Sequence, residues 1–324
     1  LSSLFYHLIS NLKYYKSALL SLILLMTLVV SSLALKNKSW TQLDGSVMAS
    51  VVQTNLELKQ KWSTEGVIKT KNMIEEAIER GVEEEIIVFP ETALIFSQSE
   101  MADWIVDIDN QAREKGITLL TGIVEREDNF KVRNRILGLG EADTHYDKIK
   151  LVPFGEFIPF EHLTGKLFDI LGLKLTNTLP GEELNIINAG NIRISASICY
   201  EIAFPDLIRK TAFDSNLIVT ISNDTWFGRS YGPIQHLEIA QNRALEHKKA
   251  ILRSTNSGIS AFISKNGEII EKQSYFEDKL LRKEINLYKG ETFYAKYGNF
   301  PLFLIISIMF MYLFINNRKN YIFN

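Results

Sequence analysis

Hydrophobic and polar positions divide the chain into three zones. From Ser17 to Leu35 the sequence SALLSLILLMTLVVSSLAL carries no charge. About nineteen such residues at 1.5 Å each match the thickness of a hydrocarbon core. A second uncharged run, FPLFLIISIMFMYLFI, extends from Phe300 to Ile315. Both are predicted to be transmembrane helices, against a cleaved signal peptide for the first and a buried C-terminal helix for the second. Lys13 and Lys16 precede the first run, and Arg318 and Lys319 follow the second. Basic residues next to a span stay on the cytoplasmic side, which places the long middle segment across the membrane. The stretch from Leu4 to Leu12 looks like the tail of another apolar helix, and the chain begins with Leu1 rather than Met. We therefore expect the N-terminus to be incomplete, and expect domains at 1–40, 41–292 and 293–324.

The middle zone alternates short β-branched runs with helix-period segments, the pattern of a layered α/β fold. Strands are predicted at Val47–Gln53, Ile86–Phe89, Thr118–Val124, Ile192–Ile198, Leu217–Ile221 and Ile259–Ile263. Helices are predicted at Val67–Arg80, Glu100–Lys115 and Ile234–Glu246. The run from Phe160 to Thr176, apolar at Leu163, Leu167, Phe168, Ile170, Leu171 and Leu173, reads either as a lipid-facing arm, together with Phe154 and Phe157, or as core.

Composition narrows the function classes. With 36 basic against 38 acidic side chains and a net charge of −2, the chain lacks the clustered basic excess that nucleic acid requires. The single cysteine excludes an intramolecular disulfide, and no Cys/His cluster has zinc spacing. Cys199 is thus either inert packing or chemistry.

In IRISASICYEIAFPDLIRK, period-2 alternation sets Ile192, Ile194, Ala196 and Ile198 on one face. It places Cys199 at the strand end on the opposite, small-polar face. Pro205 suits the first turn of a following helix. A thiol on such a strand-to-helix turn is exposed to substrate and near backbone N–H groups able to hold an oxyanion. A thiol nucleophile needs a proton acceptor, and the five histidines lie in no recognisable setting. Glu91, just after Pro90 at the end of the Ile86–Phe89 run, is a carboxylate that partial burial would make a better base; a solvated loop glutamate is the alternative. In YDKIKLVPFGEFIPF, Lys148 and Lys150 precede Glu156. A lysine beside the thiol would favour thiolate and oxyanion, but residues i and i+2 share a strand face and spacing alone does not choose between them.

Pro90-Glu91-Thr92, then Tyr146-Asp147-Lys148 leading to LVPFGE (Leu151–Glu156), then Ile198-Cys199-Tyr200-Glu201, resemble in order the Glu-Lys-Cys signature of the nitrilase (carbon–nitrogen hydrolase) superfamily. Together with ISNDTWFG (Ile221–Gly228), the helix start at Gln235-His236 and RSTNSGIS (Arg253–Ser260), they are similar to the apolipoprotein N-acyltransferase family. The resemblance covers roughly Val47 to Gly267. It implies a nitrilase-like αββα sandwich flanked by transmembrane helices, with Cys199 as nucleophile, Glu91 as general base and Lys148 as the oxyanion lysine. Glu156, Tyr200, Glu201 and Trp226 take supporting roles, and no metal or cofactor is implied. The implied reaction moves an acyl group from a phospholipid, through a Cys199 thioester, to the α-amine of a diacylglyceryl-cysteine lipoprotein, at the periplasmic side of a bacterial inner membrane. Members of that family carry several membrane helices ahead of the catalytic domain, where here one clear helix and a fragment precede it, so a truncated membrane domain is expected. The rival readings are a nitrilase-like amidase acting on a small amide and an inactive membrane-anchored remnant.

Overall fold

A computed structural model describes residue 6 and residues 15–36, 38–82, 85–127, 131–159 and 177–322, although some side chains of the end helices fall outside that set. The chain forms two compact units, Leu1–Trp40 and Thr41–Asn324. The first holds helix α1 (Tyr15–Lys36), with many of its leucines and Ile23 exposed. Of the expected Leu4–Leu12 fragment only Tyr6 is described, and the Phe160–Thr176 run lies outside the described residues.

The second unit is built on two sheets. One has the order β13-β1-β2-β3-β4-β5, from β1 (Thr41–Gln53), β2 (Ile86–Val88), β3 (Thr118–Arg126), β4 (Lys131–Gly140), β5 (Tyr146–Asp147) and β13 (Lys279–Gly290); β6 (Asn177–Thr178) pairs with β4. The other has the order β12-β11-β10-β9-β8-β7, from β7 (Ile186–Ala189), β8 (Ile192–Ile198), β9 (Leu217–Ser222), β10 (Ile251–Thr255), β11 (Ala261–Ile263) and β12 (Ile269–Lys272). Each sheet has three parallel strands at its centre, β1-β2-β3 and β8-β9-β10, and antiparallel pairings outside them except for β6, which runs parallel to β4. The helices are α2 (Leu58–Lys61), α3 (Thr64–Glu79), α4 (Ala102–Glu114), α5 (Pro205–Ala212), α6 (Gly232–His247), α7 (Phe293–Tyr297) and α8 (Phe300–Ile322).

Strand periodicity sorts the apolar residues into layers. Val47, Ala49, Val51, Ile86 and Val88 share one buried cluster with Ile194, Ala196, Ile198, Val219 and Ile221, so the two sheets pack face to face. The alternate residues Ile87 and Phe89 turn outward to Ile74, Ile78, Ile105 and Ile108 of α3 and α4. Ile218 and Ile251 do the same toward Ile208, Leu237, Ala240 and Ala244 of α5 and α6. The result is the expected α-β-β-α sandwich.

Several strands escaped the periodicity. β13 pairs with β1 along almost its whole length but is an edge strand studded with Lys, Arg and Glu, which blunts the edge and hides the strand signal. β10 is wholly buried and yet contains Arg253, Ser254 and Thr255. At the ends, helices form over both apolar runs, but among the described residues no helix is long and apolar enough to cross a membrane.

Candidate active site

Glu91, Lys148 and Cys199 come from three strand ends. Glu91 follows β2 and is almost fully buried. Its Oε1 accepts from Asn134 Nδ2 of β4 at 2.7 Å and lies 3.4 Å from Lys148 Nζ, while Oε2 accepts from the Asn223 backbone N–H at 2.9 Å. Gly122 of β3 makes room for this segment: a Cβ there would stand 2.5 Å from Pro90 O and from Thr92 N, and 2.7 Å from Glu91 Cα. Lys148 follows β5, is 1% exposed, and donates to Glu156 Oε1 at 2.8 Å. Burial works against its charge, yet Glu91, Cys199 and Glu156 outweigh burial and hold it above the ordinary lysine range. Lys150 is exposed, with its ammonium over the Phe204 ring, so the geometry separates the two lysines.

Cys199 begins a short 3-10 turn after β8 and has φ 53°, left-handed for a residue with a side chain. This corrects the expectation from alternation. The left-handed turn takes Cys199 off the face of Ser195 and Ser197, and it packs instead against the cluster between the sheets. Burial pushes its thiol up to about 12; the Glu91 charge adds to the rise, Lys148 opposes it, Asp224 adds again, and a Ser222 hydrogen bond opposes it. At neutral pH the sulfur therefore keeps its proton until a base removes it. Strain of this kind is costly, about 1–3 kcal/mol per residue, and gathers at functional sites. Thr92, Phe154 and Asp224, beside or within the same constellation, also have positive φ.

Of the supporting residues, Glu201 is buried and knits two of the segments together. Its Oε1 accepts from Tyr146 Oη at 3.0 Å and from the Ile149 and Lys150 N–H groups at 2.7 and 2.9 Å, and its Oε2 from the Ile198 N–H at 2.8 Å. Glu156 closes its own loop by accepting from the Val152 N–H at 2.8 Å. Tyr200 is partly exposed, edge-on to Phe204. Trp226 is 77% exposed and makes no hydrogen bond or ring contact among the described residues, so the structure does not bring it to the other three.

Sequence reasoning missed several residues here. Lys61, buried on α2, donates to the Glu91 carbonyl at 2.8 Å, and burial lowers it to about 8 despite the Glu91 charge. Below Cys199, His236 Nε2 meets the Cys199 carbonyl at 3.1 Å and Nδ1 meets Asp224 Oδ1 at 2.9 Å. Arg253 Nη2 donates to Asp224 Oδ2 at 2.7 Å and Ser222 Oγ to Oδ1 at 2.5 Å. Burial raises the Asp224 carboxyl, but Arg253, His236 and Ser222 outweigh it and keep it well below the usual carboxylate range. The segments Ile221–Gly228, Gln235-His236 and Arg253–Ser260 pointed to Asp224, His236 and Arg253, and nothing in the sequence pointed to Lys61; their convergence is a property of the fold.

A buried carboxylate and lysine with a partly buried thiol, at the strand ends of an α-β-β-α sandwich, define a class. Residues 48–293 match the carbon–nitrogen hydrolase family, and the chain belongs to it. Among solved structures, Nit3 of Saccharomyces cerevisiae, a member of branch 10 of the nitrilase superfamily, aligns with TM-score 0.57 and 18% identity over 76% of this chain and 93% of that one. An amidase from Nesterenkonia sp. aligns with TM-score 0.53 and 15% identity over 76% and 93%; both likenesses concern the fold. In sequence the chain is similar to the apolipoprotein N-acyltransferases of Photobacterium profundum, at 34% identity over 78% of this chain and 51% of that protein, and of Azotobacter vinelandii, at 33% over 87% and 56%. It thus spans about half the length of these relatives.

Proposed function

We propose that this protein is a membrane-bound N-acyltransferase that moves a fatty acyl group from a phospholipid, through a thioester on Cys199, to the N-terminal α-amine of a diacylglyceryl-cysteine lipoprotein. The observation that carries the reading is the buried Glu91–Lys148 pair, whose charges both act on the Cys199 thiol, in a chain one-third identical to proteins named for that reaction.

In the first step Glu91 accepts the thiol proton as Cys199 Sγ attacks the ester carbonyl. Lys148 and the Tyr200 N–H stabilise the oxyanion, and Glu91 returns the proton to the departing alkoxide, releasing a lysophospholipid. In the second the acceptor amine attacks the thioester carbonyl and loses its proton to Glu91, which passes it to the leaving thiolate. An α-amine with an ordinary pKa of about 7.7–8.0 is substantially neutral and nucleophilic near neutral pH. Asn134 and the Asn223 N–H orient Glu91 for both transfers, and Glu156 holds Lys148.

Two features support the membrane setting. α1 and α8 expose leucine, isoleucine and phenylalanine around their surfaces, a pattern suited to lipid. Two hydroxyls are satisfied within their own helix, Thr27 on the Ile23 carbonyl and Ser307 on the Phe303 carbonyl, both at 2.8 Å. With basic residues outside each apolar run, the proposed location is a bacterial inner membrane with the sandwich on the periplasmic side. Apolar flanking helices favour transfer between lipids over hydrolysis of a small soluble amide, which would give no reason for them. The test is N-acylation of a diacylglyceryl-cysteine peptide by the protein in phospholipid–detergent micelles. Cys199→Ser should abolish transfer while leaving thermal stability within a few degrees, because an alcohol is far less nucleophilic than a thiolate at similar size. Retention of most of the activity by the serine variant would remove Cys199 from the reaction.

A further inference from the structure

The group that fixes Cys199 is identifiable from donor and acceptor bookkeeping alone. His236 is buried on α6, and its two ring nitrogens face the Asp224 carboxylate and the Cys199 carbonyl at 2.9 and 3.1 Å. A carboxylate ion and a carbonyl only accept hydrogen bonds. Both nitrogens must therefore donate, and only a doubly protonated imidazole does so. We propose that His236 is a positioning residue of the site, held as an imidazolium that grips the Cys199 carbonyl and keeps that residue in its left-handed conformation. The inference rests on the reading of Cys199 as nucleophile.

Three observations support it. Asp224 is ionised, held down by Arg253 and Ser222 as well as by His236, so the acceptor at Nδ1 is a full anion. Cys199 has φ 53°, a conformation that disfavours any residue with a Cβ and persists only when its surroundings over-determine it; here the carbonyl is pinned by Nε2–H. The ring is shielded by Phe227, whose centroid lies 6.1 Å away in a T-shaped arrangement. The charged and titratable groups facing this cluster are Asp224, Arg253 behind it, the Cys199 thiol with the Glu91 and Lys148 charges that act on it, and Tyr275, which feels the Asp224 charge. The Asp224 charge raises the thiol, and the imidazolium, set between that carboxylate and the Cys199 carbonyl, opposes the rise and favours the thiolate in the same direction as Lys148.

Two measurements test this. Nitrogen NMR of the wild-type protein labelled at histidine should show both His236 ring nitrogens protonated at neutral pH. Alkylation of Cys199 by iodoacetamide, followed across pH, should run about tenfold slower at pH 7 in His236→Gln, with its profile displaced upward by about one pH unit. Glutamine can still donate to the carbonyl but supplies no charge. A neutral imidazole in the wild-type spectrum would overturn the proposal even if the variant fails to fold, and so would a His236→Gln profile that superimposes on wild type. A wild-type Cys199 that resists alkylation at every pH, while the unfolded chain alkylates readily, would overturn the nucleophile reading and the inference with it.

Discussion

Replacing Arg253 with Met removes one partner of a fully buried ion pair and leaves the other in place. Arg253 and Asp224 are both essentially inaccessible, and the pair is supported by Arg253 Nε donating to the Ile259 carbonyl at 3.2 Å. Breaking such a pair costs about 3–5 kcal/mol at most, because the remaining buried charge loses its main counter-ion and keeps only His236 and Ser222. Against a total stability of about 5–15 kcal/mol, that is a large fraction of the fold. At about 2–4 °C per kcal/mol it corresponds to a fall in melting temperature of roughly 6–20 °C. The pH dependence gives the cause away. In the wild type the Asp224 carboxyl is depressed, so its contribution is complete above the ordinary aspartate pKa and is lost only as pH falls through the lower folded value. In Arg253→Met burial is no longer offset by the guanidinium, the carboxyl moves upward, and the folded state gains stability by taking up a proton as pH falls. The difference between the two proteins should therefore be largest at pH 7 and shrink toward pH 4. Urea unfolding followed by tryptophan fluorescence at pH 7, 5.5 and 4 measures it, and adding Asp224→Asn should recover part of the loss. A loss below about 1 kcal/mol at pH 7, or one that is the same at every pH, would refute the reasoning.

Gly122→Ala should lower acyl transfer by about a hundredfold, since its Cβ must displace the Pro90–Thr92 backbone that aims Glu91, with a stability loss of about 1–3 kcal/mol; activity within twofold of wild type would contradict this. His247, 1% exposed and with neither ring nitrogen partnered among the described residues, is lowered to about 3 by burial and by Lys249, Arg243 and Arg209. The unfolded chain then binds a proton that the folded one refuses between about pH 6.5 and 3. Stability should fall through that window by at most roughly 5 kcal/mol, and urea titrations of His247→Phe should show a flatter acid limb.

The parts of the site that the sequence revealed are those carried by strands. Ile192–Ile198 is a strand over the expected residues, and Glu91 and Cys199 follow their strands as the hydrophobic runs imply. What the pattern could not carry is the backbone turn at Cys199: alternation continues a strand in thought, whereas a left-handed φ rotates the next side chain to the other face. Nor could it carry the buried polar groups. Asn134, Lys61, His236 and Arg253 sit on four different elements and acquire meaning only when the two sheets and α6 bring them within hydrogen-bond distance. β10 was overlooked for the same reason, because its arginine reads as surface and is instead the counter-ion of Asp224.

The central claim is that Cys199 carries the acyl group between donor and acceptor. It is tested most directly by intact-protein mass spectrometry after incubation with phospholipid and no acceptor. A ping-pong enzyme accumulates its covalent intermediate under these conditions. The account expects a mass increase equal to one fatty acyl group, located on Cys199, removed by hydroxylamine and absent from Cys199→Ala. An adduct on Lys148 or another residue, or an unmodified protein that nevertheless acylates the acceptor once it is added, would contradict it.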